Sequence, residues 1–294
     1  MSRIAVVGLG NMGGPMAANL AAAGHEVTGY DPAPGAREAA AAAGVTVRPT
    51  GPGAVRAAEV VITMLPTGEH VLGVYDELLP AAPDGALFVD CSTIDVASAR
   101  AAHERAAATG HPSVDAPVSG GVVGAEAGTL TFMAGGEQAA VDAAGPVLAV
   151  LGKRTVHCGG PSAGQVAKMC NNMVLGASMI AVSEAFVLAE RLGLEPQALF
   201  DVMSTSSGQC WAVSTNCPVP GPVPTSPANR AFSGGFAAQL MLKDLRLADA
   251  AAAEAGVEPV IGRLATARYA EFVTRDPRTQ DFSAIITDIR RAHP

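Results

Sequence analysis

The segment RIAVVGLGNMGGPMAANL, residues 3–20, constrains the fold more than any other part of the chain. An apolar, β-branched run ends at Gly8, Gly10 and Gly13, and a helical pattern follows from about Met12 to Ala23. GxGxxG spacing alone is a weak signal; a preceding strand and a following helix give it weight. The first glycine permits the tight turn, the second lets backbone approach a pyrophosphate, and the third lets helix and strand pack closely. The phosphate then meets the unpaired N–H groups of a helix N-terminus. Asn11 and Met12, inside the turn, join the three glycines as candidate cofactor-binding residues. The next strand, HEVTGYD, ends at Asp31, eighteen residues past Gly13. A carboxylate there accepts from a ribose hydroxyl and repels a 2′-phosphate, which favours NAD over NADP. Arg37, six residues farther on, is placed to soften that discrimination.

Strand and helix patterns alternate through the first half. AEVVITMLP, GALFVDCST, SVDAP, GTLTFMAGG and RTVHCG read as further strands. Helical patterns fall near 36–43, 70–79, 96–109 and 137–150. Such alternation predicts a doubly wound, mostly parallel sheet. After Pro161 the rhythm changes. Residues 163–192 carry apolar positions with no strand break, a single helix of roughly 45 Å at the helical rise. Further helices are expected near 195–204, 236–255 and 259–272, and a short one at the C-terminus. The reading is therefore an α/β Rossmann domain over 1–162 and an all-α domain over 163–294. The Pro-, Gly- and Asn-rich stretch between Cys210 and Gly235 is long for a loop, and such loops are often functional.

Composition narrows the function. The formal charge is −8, with no basic block and few aromatics, which gives nucleic-acid binding little support. No run reads as an uninterrupted membrane span, and the N-terminus passes straight into a strand. Five scattered cysteines without a CxxC pair suit reduced thiols in a cytoplasm better than disulfides or zinc.

The helix GQVAKMCNNMVLGAS reads as largely buried through Val166, Met169, Val174 and Leu175, yet it contains Lys168. A buried lysine is costly unless something pairs with it or uses it. Gln165, Lys168 and Asn172 fall on one helical face, whereas Asn171 points elsewhere. The plain alternative is a lysine whose ammonium reaches solvent at a domain edge. In DAPVSGG, Ser119 offers a hydroxyl, and Gly120 with Gly121 can expose successive N–H groups to a carboxylate. That stretch also reads as an ordinary glycine turn. Lys243 and Asp244, in LKDLRLA, would by themselves be taken for a solvated ion pair.

Together these segments resemble the β-hydroxyacid dehydrogenase family. The likeness runs over nearly the whole chain through GLGNMGGPMAANL, ITMLPT, DCSTID, DAPVSGG, GTLTFMAGG, KMCNNM, SSGQCWAVSTNCPVPG, MLKDLRLA and DFSA. The resemblance implies NAD-linked oxidation of 3-hydroxyisobutyrate to methylmalonate semialdehyde and a homodimer or homotetramer built through the helical half. By motif it implies Lys168 as catalytic lysine and Asn172 as the asparagine that orients substrate. Ser119, Gly120 and Gly121 match the carboxylate turn, and Asp244 a position beside the substrate. Leu65, Pro66, Thr93 and Lys243 match cofactor-contacting positions. His70 stands where relatives often have Asn.

A general base near neutral pH must lose its proton readily, and a free lysine, with a pKa of about 10.4, does not. Burial and a positive nicotinamide both disfavour the ammonium form. The same scaffold also suits a reductase of tartronate, glyoxylate or succinate semialdehyde, or a serine dehydrogenase. A non-catalytic NAD-binding interaction protein is a further alternative, which Lys168 argues against.

Overall fold

The computed structural model describes residues 1–292, and the chain forms two compact units, Met1–Lys168 and Met169 onward. The first unit runs β1 (Arg3–Val7), α1 (Gly13–Ala22), β2 (Glu26–Tyr30), α2 (Pro34–Ala42), β3 (Thr46–Val47), α3 (Gly51–Val55), β4 (Val60–Thr63) and α4 (Gly68–Leu78). It continues with β5 (Leu87–Asp90), α5 (Val96–Ala108), β6 (Ser113–Asp115), β7 (Val118–Ser119), α6 (Gly121–Glu126), β8 (Leu130–Gly135), α7 (Gln138–Leu151) and β9 (Gly152–Gly159). The sheet order is β3-β2-β1-β4-β5-β6-β8-β7, with β9 beside β8. From β3 to β6 every pairing is parallel, while β8 runs antiparallel to β6 and β7.

The central strands β1, β4 and β5 are buried on both faces, as parallel sheets require. Along β1, Ile4 and Val6 join one core and Ala5 and Val7 the other, the alternation that a period of two dictates. Sequence periodicity missed β3, α3, β7 and α6, all of six residues or fewer. The reversal at β8 was not anticipated either, because its sequence matches any half-buried strand. Strand order reverses between β1 and β4, so the crevice at their C-terminal ends is where such sheets take ligands.

Helix α8 (Ala163–Arg191) starts in the first unit and supplies the first helix of the second. There follow α9 (Pro196–Thr205), α10 (Trp211–Ser214), α11 (Ala238–Glu254), α12 (Val260–Arg275) and α13 (Ile285–Ala292). Met179, Val182 and Phe186 of α8 pack in one core with Met241 and Leu245 of α11, Tyr269 and Phe272 of α12, and Ile285 and Ile289 of α13. Gly176 makes the α8–α11 approach close, since a Cβ there would lie 3.1 Å from Leu245. Val166 and Val174, expected inside, are 44% and 61% exposed, because they lie on the side of α8 opposite the buried row. Helix α8 also has the length and apolarity of a membrane span, although isolated polar residues interrupt the run in sequence; half of its most apolar stretch is buried inside the protein.

Buried groups inside and outside it order the loop between α10 and α11. Asp281 collects Asn216, the Phe236 N–H and Ser283, and Ser226 donates to the Cys217 carbonyl. A Cβ at Gly235 would lie 2.1 Å from the Asp281 carboxylate, so that approach requires glycine.

Candidate active site

The glycine turn follows from steric necessity. Gly8 sits at φ 93°, and a Cβ there would lie 2.2 Å from the Met64 carbonyl oxygen. One at Gly13 would lie 1.9 Å from the Gly8 carbonyl oxygen, whereas one at Gly10 would meet nothing within 4 Å. Two glycines therefore close the turn, and the third leaves its outer face open, as a pyrophosphate cradle needs. No side chain caps α1. In its first turn the Gly14 N–H already donates to the Gly10 carbonyl at 2.9 Å and Pro15 has no N–H, so an anion would be met by the N–H groups just ahead of them.

Asp31, at the end of β2, is fixed from both sides. One carboxylate oxygen accepts the Leu9 N–H at 2.8 Å and the other the Ala33 N–H at 2.7 Å. A carboxylate offers about four lone-pair sites, so acceptor capacity remains for ribose hydroxyls. The Arg37 guanidinium rests on the Asp31 and Pro32 carbonyls, close to where a 2′-phosphate would lie. These residues fit a dinucleotide.

The loops after β4 and β5 carry Leu65, Pro66 and Thr93, and a buried hub ties them together. Asp90 Oδ1 accepts from the Thr63 hydroxyl at 2.8 Å, the Ser92 hydroxyl at 2.6 Å and the Ser92 N–H at 3.2 Å. The Ser92 oxygen in turn accepts the Leu65 N–H at 2.8 Å. Asp90 Oδ2 has no hydrogen-bond partner among the described residues. Burial pushes the Asp90 carboxyl up to about 6, against the pull of hydrogen bonds from Ser92 and Thr63. A raised acid favours the fold while protonated. Its contribution is therefore complete below the unfolded value of 3.8 and is lost as pH rises through about 6. The shift corresponds to about 3 kcal/mol. Asp90→Asn should accordingly gain on the parent by up to this amount at pH 7.5 relative to pH 4, read from denaturant melts at the two values. A stability difference independent of pH would contradict this account.

Ser119 ends β7, and Gly120 and Gly121 follow at φ 133° and 61°. Only glycine adopts two such values in succession without strain. The turn opens directly into α6, as a carboxylate-binding nest would. Burial pushes the Cys91 thiol well up, so Cys91 is no nucleophile. His70 bonds Thr67 at the head of α4 on the surface, a capping contact that explains a histidine there.

On α8, Gln165, Lys168 and Asn172 are all buried, with Lys168 only 6% exposed, while Cys170 and Asn171 are exposed. The shared face read from the sequence is present. Gln165 closes the first unit around its own helix: its Oε1 accepts the Ile94 N–H and its Nε2 donates to the Ser92 carbonyl, one residue on either side of Thr93. Within the second unit, Asn172 Nδ2 donates to Asp244 Oδ2 at 2.6 Å. The Lys243 ammonium lies 3.6 Å from the other Asp244 oxygen. Asp244 is 3% exposed, so this is not the solvated pair that spacing alone suggested. Asp244 fixes the amide nitrogen of Asn172, whose carbonyl oxygen accepts from the Asn171 amide at 3.0 Å. Reading the sequence missed Asp90, Ser92, Asp115 and His103, whose partners lie between 2 and 50 residues away. Among the described residues, no three His, Cys, Asp or Glu side chains converge as a metal site would require.

Comparison with known proteins agrees with this geometry. Residues 3–160 match the model of the NAD binding domain of 6-phosphogluconate dehydrogenase. Residues 162–289 match that of the NAD-binding region of NADP-dependent 3-hydroxyisobutyrate dehydrogenase. A probable 3-hydroxyisobutyrate dehydrogenase of Mycobacterium tuberculosis is 54% identical over 290 residues, 99% of this chain and 98% of that one. The structure of a 3-hydroxyisobutyrate dehydrogenase from that organism with L-serine superposes at a TM-score of 0.96 and 54% identity, covering 99% of both chains. An NAD-dependent L-serine dehydrogenase of Pseudomonas aeruginosa is 43% identical over 288 residues, 97% of each chain.

Proposed function

Because the chain belongs to the 3-hydroxyisobutyrate dehydrogenase family of NAD-dependent oxidoreductases, we propose that it oxidises 3-hydroxyisobutyrate to methylmalonate semialdehyde in valine degradation, with Lys168 as general base. The observation that carries this reading is a buried lysine one helical turn from an asparagine whose amide is itself fixed by a buried carboxylate.

Gly8, Gly10, Asn11, Met12 and Gly13 would hold the pyrophosphate, Asp31 the adenosine ribose, and Leu65, Pro66, Thr93 and Lys243 the remaining contacts. Bound NAD supplies a hydride acceptor at C4 of its nicotinamide. The rest is the work of side chains. Ser119 and the N–H groups of Gly120 and Gly121 take the substrate carboxylate. Asn172 hydrogen-bonds the reacting hydroxyl, and Asp244 keeps that amide from rotating. Lys168 accepts the hydroxyl proton as the hydride leaves carbon. Two anchors on a three-carbon chain fix the carbinol carbon in one place, which is where orientation lowers a barrier.

L-Serine is the second reading, supported by the 43% identical L-serine dehydrogenase and by the relative solved with L-serine. It carries the same hydroxymethyl and carboxylate groups and differs by an ammonium in place of a methyl group. Initial rates on 3-hydroxyisobutyrate, L-serine, glycerate and 4-hydroxybutyrate, each with NAD and NADP, separate the readings. The expected result is the highest kcat/KM for 3-hydroxyisobutyrate with NAD. Faster turnover of L-serine, or equal efficiency with NADP, would overturn the substrate or the cofactor assignment respectively.

We place the reaction in the cytoplasm, since all five cysteines are free thiols. The helical half pairs as a homodimer or homotetramer. The supporting observation is the outer row of α8, where Val174 and Leu188 are each 61% exposed. A monomer at micromolar concentration by light scattering would rule this out.

A further inference from the structure

We propose that Asp115, held by His103, is a positioning residue that sets the head of α8, and with it Lys168, against the loop following β5. The inference rests on the reading of Lys168 as the base.

Asp115 ends β6 and is 2% exposed. One carboxylate oxygen accepts the Ser162 N–H at 2.8 Å and the other the Gln165 N–H at 2.9 Å. Helices leave their first N–H groups unpaired, and here the acceptor arrives from a strand almost fifty residues upstream in place of a local capping side chain. His103 Nε2 donates to the first oxygen at 2.9 Å, and its Nδ1 meets the Ser113 hydroxyl at 2.7 Å. A carboxylate can only accept, so the imidazole proton sits on Nε2. Three donors on one buried carboxylate make the contact rigid.

The surrounding sequence reserves space for it. A Cβ at Gly135 would lie 2.4 Å from one Asp115 oxygen, and a Cβ at Gly164 would lie 2.8 Å from the other. Ser162 stands at φ 69°, a conformation that a non-glycine residue holds only when its surroundings impose it. Its N–H is the one bound to Asp115. The consequence passes along α8. Gln165, whose N–H is anchored, grips the main chain on both sides of Thr93, and Lys168 follows within one turn. A single carboxylate thus ties the base to a cofactor-contacting loop. Displacing a reacting group by about 1 Å can cost on the order of 100-fold in rate.

A purely structural cap would alter stability and nothing else, so the test measures kcat apart from binding. Asp115→Asn, His103→Leu and His103→Gln are compared with the parent and with Lys168→Ala. The inference expects Asp115→Asn to lower kcat on the order of 10–100-fold with NADH affinity, followed by fluorescence, within about twofold. His103→Leu should move in the same direction. His103→Gln should recover most of the rate, because its amide nitrogen can replace the imidazole Nε2 as donor. The deuterium isotope effect on kcat, with substrate labelled at the carbinol carbon, should rise in the two slow variants. If Asp115→Asn fails to fold, the two His103 variants decide alone. Lower melting temperatures with unchanged kcat and isotope effect would overturn the inference. So would equal rates for His103→Leu and His103→Gln. If Lys168→Ala keeps the parent's turnover, it is the base assignment that fails; if it loses turnover while the Asp115 and His103 variants keep theirs, only the positioning role fails.

Discussion

Lys168→Ala is expected to lower turnover on the order of 10²–10⁴-fold, the usual contribution of a positioned acid–base group, while NADH binding survives. The separation follows from placement. The glycine turn and Asp31 are formed by β1, α1 and β2, and none of their hydrogen bonds passes through Lys168. Lys168 is only 6% exposed, so its truncation removes a buried group. Lys168→Arg should not restore the rate, because a guanidinium keeps its proton in proteins. It would still donate hydrogen bonds, which makes it the control for an electrostatic role. With Lys168 as base, oxidation would require the neutral amine, so the intact enzyme should lose activity as pH falls, and Lys168→Ala should lose that limb of the profile. Near-normal oxidation by Lys168→Arg with the parent's pH profile would make Lys168 an anchor for the substrate carboxylate instead of the base.

Gly13→Ala should produce the opposite phenotype, with cofactor binding lost first. The new methyl would lie 1.9 Å from the Gly8 carbonyl oxygen and 3.3 Å from the Met64 side chain. The near atom belongs to the backbone, so relief requires opening the turn itself. Overpacking of this kind costs about 1–3 kcal/mol. Each 1.4 kcal/mol that reaches the cradle is a factor of about ten in affinity, so NADH binding should weaken on the order of 10–100-fold. Gly10→Ala separates fold from site. Nothing lies within 4 Å of its added Cβ, so its melting temperature should match the parent's while NADH affinity falls. Unchanged NADH affinity in both variants would mean that the dinucleotide binds elsewhere.

The features that a sequence shows best are local. Gly8, Gly10, Gly13 and Asp31 lie within one strand–turn–helix–strand unit, so their spacing alone carried the candidate cofactor site. Helix α8 was legible because its period persists for 29 residues, and so was the face shared by Gln165, Lys168 and Asn172. Burial along α8 was less so. Val166 and Val174 are exposed although apolar, since hydrophobicity does not say which face of a helix meets a core. The carboxylate hubs were invisible for a different reason. Asp115 meets residues 47 and 50 positions away, and Asp244 meets one 72 positions away. Only the fold brings such pairs together, and an isolated Asp in a sequence gives no hint of its partner. The short elements β3 and β7, of two residues each, fell below any periodic signal and had to await strand pairing.

The most direct test of the central claim is a stoichiometric one. Intact enzyme is mixed with 3-hydroxyisobutyrate and excess NAD, and NADH and methylmalonate semialdehyde are both quantified as they form. The account predicts that the two appear together in a one-to-one ratio, at a rate that Lys168→Ala lowers by at least about two orders of magnitude. A preparation that binds NADH yet forms neither product from 3-hydroxyisobutyrate would contradict it.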